Sequence, residues 1–232
     1  MLPTLFQQMQ DYVFPIFCLG CDAEGTWLCN NCKKTADVSG QFFCPMCHIQ
    51  TFEGEPCEEC ACISALSGHV AISRYTEQSS VGKLLRALKY QYAEDVMRNL
   101  SEMLEVFVHR YYARLFQNVD IIVPIPLHKK RFAERGFNQA TLLARVVSNT
   151  TNSYMDDTVL DRYRDTPHQA ALSREERLEN VIDAFRVNNA VAGKRILLVD
   201  DVFTTGATMQ ACAVELKEAG AVSVKGFSVA RG

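Results

Sequence analysis

No stretch of the 232 residues is apolar for long enough to cross a bilayer, and the first seventeen lack the basic start and apolar core of a secretion signal. Pro3, Asp11, Pro15 and several glutamines stand there instead. Insertion into a membrane and export are therefore not expected, and a cytoplasmic protein is. Charged residues are sparse at 22%, against 48% hydrophobic, which excludes a disordered chain and leaves room for one well-buried domain with a smaller companion. Tryptophan occurs once, at Trp27, where packing is the expected role and stacking on a base the alternative. Lysine and arginine are almost missing from the first 62 positions, where Lys33 and Lys34 face eight acidic residues, a balance of −6. The rest of the chain carries +3, so the amino-terminal part offers no broad basic face to a nucleic-acid backbone.

What that acidic part does contain is cysteine. Nine of the ten cysteines lie between residues 18 and 62, and eight form Cys-x-x-Cys pairs: Cys18 with Cys21, Cys29 with Cys32, Cys44 with Cys47, and Cys57 with Cys60. In a cytosolic chain this spacing points to metal rather than disulfides. Each pair brings two thiolates to one ion, and two pairs close a tetrahedral structural zinc site. The simplest arrangement is two Zn²⁺, one on Cys18, Cys21, Cys29 and Cys32, the other on Cys44, Cys47, Cys57 and Cys60. A crossed pairing satisfies the spacing equally, and a redox dithiol or iron–sulfur cluster is the competing chemistry. Cys62 is a spare thiol or substitute ligand, His48 follows a ligand without being one, and Cys212 is expected in the core.

The second concentrated signal is near the other end. Ile196, Leu197, Leu198 and Val199 read as a strand covered on both faces, and Met209, Ala213 and Leu216 ahead of Gly220 read as the following helix. Between them stand Asp200, Asp201, Thr204, Thr205, Gly206, Ala207 and Thr208. The first amides of a helix lack internal partners and sit at the positive end of its dipole, so a phosphate binds there. The threonines add hydroxyl donors, Gly206 lets the backbone approach the anion, and the two carboxylates could hold a sugar diol or water on Mg²⁺. A diol and a phosphate on one small molecule suggest a pentose phosphate. The alternative is an ordinary strand-to-helix turn with Asp and Thr as caps.

A further strand is expected from Asp120, Ile121, Ile122, Val123, Pro124, Ile125 and Pro126, ending in a basic loop with His128, Lys129, Lys130, Arg131 and Arg135. Asn138 is placed to cap a helix through Leu142, Leu143 and Val146. Loops at the carboxyl ends of strands line the ligand crevice of open α/β sheets, though such a loop can also be a solvated surface. Another helix is expected from about 96 to 115, with Leu100, Leu104, Phe107 and Tyr111 on its packing stripe.

The strand, acidic pair and Thr/Gly loop resemble the phosphoribosyl pyrophosphate (PRPP) motif of type I phosphoribosyltransferases. Val123, Pro124, Ile125, Pro126 and Leu127, then Arg135, Gly136, Phe137, Asn138, Gln139 and Ala140, taken with the cysteine module, resemble the ComF family over nearly the full chain. Leu88, Lys89 and Tyr90 add to the match. So do Arg162, Arg164, Thr166, Gln169, Arg177, Asn180, Ala184 and Phe185. The resemblance implies an α/β fold, the type I phosphoribosyltransferase fold of a parallel sheet flanked by helices, with a small zinc-ribbon domain in front. Residues 1–66 would form the double zinc ribbon with a short amino-terminal helix, and 67–232 the phosphoribosyltransferase-like domain. It further implies that Asp200 and Asp201 contact the ribose hydroxyls as the catalytic pair, and that Thr204, Thr205, Gly206, Ala207 and Thr208 wrap the 5-phosphate. Lys89, Lys129, Lys130, Arg131 and Arg135 would meet the rest of PRPP. A mobile segment, 161–183, would offer Arg162, Arg164, Arg174 and Arg177.

By the same resemblance the reaction displaces pyrophosphate from PRPP with the help of Mg²⁺, and the setting is natural transformation, with single-stranded DNA and competence or DNA-processing proteins as partners. No segment announces an acceptor pocket. Three roles follow: a phosphoribosyltransferase, a PRPP-responsive binding module, or a DNA-uptake adaptor without turnover.

Overall fold

The structure, a computed structural model, describes residues 15–90, 93–164 and 183–232. Its centre is a five-stranded sheet in the order β1, β2, β7, β6, β3. These strands are β1 (Gln41–Phe42), β2 (Gly68–Arg74), β3 (Ile121–Pro124), β6 (Arg195–Phe203) and β7 (Ser223–Arg231). The four from β2 to β3 run parallel, and β1 joins the edge antiparallel, pairing Gln41 with Ala71 and Phe42 with Val70. A short antiparallel ribbon, β4 (Leu160–Arg162) with β5 (Phe185–Val187), stands beside it.

Both faces of the parallel strands are buried, and the alternation of the pleat decides which residue goes where. Ile122, Leu197, Val199, Phe227 and Val229 point to one side. There they pack against α2 (Ser80–Tyr90), α3 (Ala93–Tyr111) and α5 (Gln139–Thr151), through side chains such as Leu84, Leu88, Leu100, Phe107, Leu143 and Val147. Ile121, Val123, Ile196, Leu198 and Val224 point to the other side, against α6 (Ala207–Glu218), which contributes Met209, Cys212, Ala213 and Leu216. Cys212 is thus core, as expected.

The anticipated helix from about 96 to 115 is α3 followed by a π-helical turn, Tyr112–Phe116. Asn138 caps α5, its side chain accepting from the Ala140 amide at 3.0 Å while donating to the Ile125 carbonyl. One expectation is corrected. The basic segment after β3 is a helix, α4 (Lys129–Arg135), closed by Gly136 at φ 78° in the left-handed region. His128 supplies its amino-terminal cap, a role that Pro126 upstream and the charged run did not advertise.

The cysteine module is built into this body. Besides β1 and a short helix, α1 (Asn30–Thr35), it sends Cys18 and Leu28 into the core beside α2 and α3, with Trp27 packed against them. Hydrogen bonds from Tyr111 to the Ser39 carbonyl (2.8 Å) and from Lys33 to Glu102 (2.7 Å) tie it to α3.

Candidate functional site

The phosphate-type turn is formed as the chain order demands. β6 delivers Asp200 and Asp201 to the carboxyl end of the sheet, the turn at 204–208 follows, and Gly206 begins α6 with φ 78°. A Cβ at Gly206 would collide with the Phe203 ring, so glycine is required for both conformation and space. Gly206 at the cap position has no side chain to offer, and the Thr205 hydroxyl accepts from the Ala207 amide at 3.4 Å, so the first turn of α6 faces the cleft with the dipole's positive end.

That cleft, about 550 Å³, has the size of a small-molecule site. Asp200, Asp201 and all five residues of the turn line one wall, while Lys89 from α2, Arg131 and Arg135 from α4, and Arg162 from β4 line the others. Counting Arg86 on α2, five cations from three elements therefore surround two carboxylates and a helix amino terminus. Lys129 and Lys130 lie on α4 but outside the cleft lining, because a helix sends only one of its faces inward. Arg135 is held in place by donating to the Gln139 side chain at 2.9 Å. Arg162 is buried, with its guanidinium 5.4 Å from the Phe185 ring centre. Arg164 is exposed on the segment just beyond β4, and Arg174, Arg177 and the amino-terminal helix lie outside the described residues. Tyr75, Glu77 and Arg86 also line the cleft, a placement without a signal in the sequence because they reach it from the β2–α2 connection and the side of α2.

Charge at the floor is finely divided. Lys89 Nζ lies 2.6 Å from Asp201 Oδ2. Burial would lower the Lys89 pKa, but the Asp201 carboxylate, with Asp200 behind it, outweighs that and holds the ammonium above its usual value. Asp200 goes the other way: burial, then the charge of Asp201, push its pKa well above the ordinary carboxylate range. Its Oδ1 accepts the Asp201 amide at 2.8 Å. The site thus stores a carboxyl that is costly to ionise until a cation or a hydrogen-bonding ligand arrives.

The cysteines assemble as the uncrossed pairing requires. Sulfur atoms of Cys18, Cys21, Cys29 and Cys32 lie within 4.8 Å of one another, as do those of Cys44, Cys47, Cys57 and Cys60, and each group could hold a metal ion. Cys62 is exposed and stands outside both groups. The surroundings fit thiolate ligands. Burial would raise the Cys18 thiol, yet amide groups of Cys29, Gly20 and Cys21 hold it at about 6, the first two donating to its sulfur at 3.3 and 3.4 Å. Cys44 is held at about 6 in the same manner, by amides of Cys47, Cys57 and Met46 working against burial. Such donor-stabilised sulfur sets suit a closed tetrahedral metal centre.

Comparison with known proteins places these features together. The profile of the phosphoribosyl transferase domain matches residues 106–231, the part of the chain that builds β3, α4, α5, β6, the turn and α6. The chain is 32% identical over 213 residues to the DNA utilization protein YhgH of Escherichia coli (strain K12), covering 90% of this chain and 92% of that one. It is 30% identical to the competence protein ComFC of Streptococcus pneumoniae, covering 90% and 89%. Competence protein F of Haemophilus influenzae is 28% identical, over 88% and 90%. The chain belongs to the ComF family of phosphoribosyltransferase-domain proteins. Among the described residues, no helix is long and apolar enough to cross a membrane.

Proposed function

We propose that the protein binds PRPP in the cleft and transfers its phosphoribosyl group to an acceptor, within the handling of transforming single-stranded DNA in the cytoplasm. The observation that carries this reading is the convergence at one cleft of an acidic pair, a helix amino terminus with three threonines, and Lys89, Arg131, Arg135 and Arg162. The turn at 204–208 suits the 5-phosphate, and Asp200 and Asp201 suit the ribose diol. The cations suit the pyrophosphate. The donor set, carboxylates with a ligand's own phosphate oxygens, is the kind that Mg²⁺ takes, and the ion would help neutralise the departing pyrophosphate.

Displacing pyrophosphate builds positive charge on the ribose and negative charge on the leaving group. Carboxylates under the sugar and cations along the opposite wall match both, and they are fixed before the reaction begins. The two cysteine centres are read as structural Zn²⁺ sites. The competence setting is supported by the names of the relatives, ComFC and competence protein F.

Calorimetric titration of Mg²⁺ and PRPP into the zinc-loaded protein tests this, beside a variant carrying Asp200→Asn and Asp201→Asn. Saturable binding is expected in the wild type, weakened at least about a hundredfold in the variant, since two charged hydrogen-bonding groups are lost. Pyrophosphate release on adding candidate acceptors would establish transfer, whereas binding without release would assign a PRPP-sensing role. Absence of binding by the folded wild type would remove both and leave the adaptor role.

A further inference from the structure

Behind the phosphate-type turn lies a group of buried side chains that ligand contact does not explain. Arg231, the last residue of β7, is 6% exposed, and neither terminal nitrogen of its guanidinium has a hydrogen-bond partner among the described residues. The guanidinium carbon sits 4.8 Å from the ring centre of Phe43 and 5.3 Å from that of Phe203. Phe43 precedes Cys44 in the second cysteine centre. Phe203 ends β6 and precedes Thr204.

The Phe203 ring stacks on buried His69 at 3.8 Å between centroids, and it fills the space that a side chain at Gly206 would need. The left-handed residue of the turn therefore rests on this ring. A second tie runs through Gln210 in α6, whose Nε2 donates to Met46 Sδ at 3.0 Å and to Ser64 Oγ at 3.1 Å. Met46 lies between Cys44 and Cys47. By contrast, the first cysteine centre packs on α2, where Lys83 donates to the Leu19 carbonyl at 2.7 Å.

A guanidinium removed from water without an oxygen partner is expensive unless negative charge lies nearby. Four thiolates around a divalent ion carry a net −2 spread over soft sulfur, and two aromatic faces add cation–π attraction. We propose that Arg231 is a positioning residue that ties the second cysteine centre to the turn at 204–208, so that metal in that centre holds the turn in its anion-binding shape. Its effect on ligand binding rests on the PRPP reading; its effect on the turn itself does not.

The test uses the full zinc-loaded chain with Arg231→Met and Arg231→Lys. In Arg231→Met, one of two zinc equivalents should pass to a chromogenic chelator about tenfold faster with the other unchanged, a loss of roughly one charge-assisted contact. Amide exchange across 203–209 should rise about tenfold while that of α2 stays constant. Arg231→Lys, which keeps the charge, should remain within about threefold of wild type on both readings. Coupling between sites is reciprocal, so ribose 5-phosphate should slow loss of the same zinc equivalent in the wild type and not in Arg231→Met.

Unchanged exchange at 203–209, equal acceleration of both zinc equivalents, or a lysine variant as defective as the methionine one would each overturn the proposal. Should Arg231→Met fail to fold, stepwise zinc removal from the wild type decides the matter, because turn exchange must rise with loss of the second centre's metal and not the first's. If ribose 5-phosphate and PRPP do not bind but the zinc and exchange results hold, the PRPP reading fails and the tie stands.

Discussion

Asp200 and Asp201 are neighbours with opposite situations. Asp201 is buried and carries Lys89 at 2.6 Å, whereas the Asp200 pKa is raised by burial and by Asp201 itself. A carboxyl whose folded pKa lies above its unfolded one favours folding while protonated, and that contribution is lost as pH rises through the folded pKa. Asp200→Asn should therefore raise the melting temperature of the protein at pH 7 by about a few degrees, even though the substitution is the one expected to weaken PRPP binding on the proposed reading. The gain should vanish below about pH 4, where an unfolded Asp is also protonated. Scanning calorimetry at pH 4 and pH 7 checks both ends, and a lower melting temperature for the variant at pH 7 would contradict the assignment. The two carboxylates and the Thr/Gly turn are legible in sequence because they are consecutive. Arg162 is reached only through the family resemblance, and Gln210 and Arg231 not at all, since each acts on residues far away in the chain.

β6 and α6 were readable because a both-faces-buried strand and a core-facing helix leave simple apolar patterns, and the turn between them has few conformations open to it. α4 was not. Its seven residues, Lys129–Arg135, bury no side chain, so no apolar period marks it, and its cap comes from a histidine. β1 escaped for another reason: two residues hold too little pattern, and their pairing with β2 depends on where the cysteine module docks. At the far end of the sheet, Asp120 helps set the register of β3 against β6 by accepting from the Arg195 amide at 2.8 Å and from its guanidinium at 2.9 and 3.0 Å. Those hydrogen bonds hold the Asp120 pKa at about 2, so its stabilisation is present above the unfolded value and lost as pH falls through that point. The Arg195 side chain is 47% exposed, and solvent screening keeps the effect to about 1 kcal/mol or less. Asp120→Asn should flatten the acid limb of a stability curve below about pH 4 with little change in ligand affinity. An acid limb identical to wild type would show that Asp120 is not ionised differently in the folded state.

Taken together, the cysteine module and the sheet share one core rather than meeting at a surface. Cys18 and Leu28 pack with Leu84, Leu88 and Phe107, and Phe42 extends the sheet. Removing both metals should therefore do more than unfold a small ribbon: the melting transition should move down by at least about 10 °C and remain single, since the centres and the sheet cannot unfold apart. Two separate transitions after chelation would show instead that the module is thermodynamically independent. The spacing of eight cysteines was enough to announce metal-capable Cys-x-x-Cys pairs, though not which pairs join, and consecutive residues were enough to announce the strand, turn and helix around Gly206, because both depend on local geometry that the chain carries wherever it goes. Which cations face that turn, which basic residues do not, and what lies behind Phe203 depended on packing between elements that are distant in sequence. Long-range burial alone brings Lys89, Arg162 and Arg231 to the two sides of the same few residues.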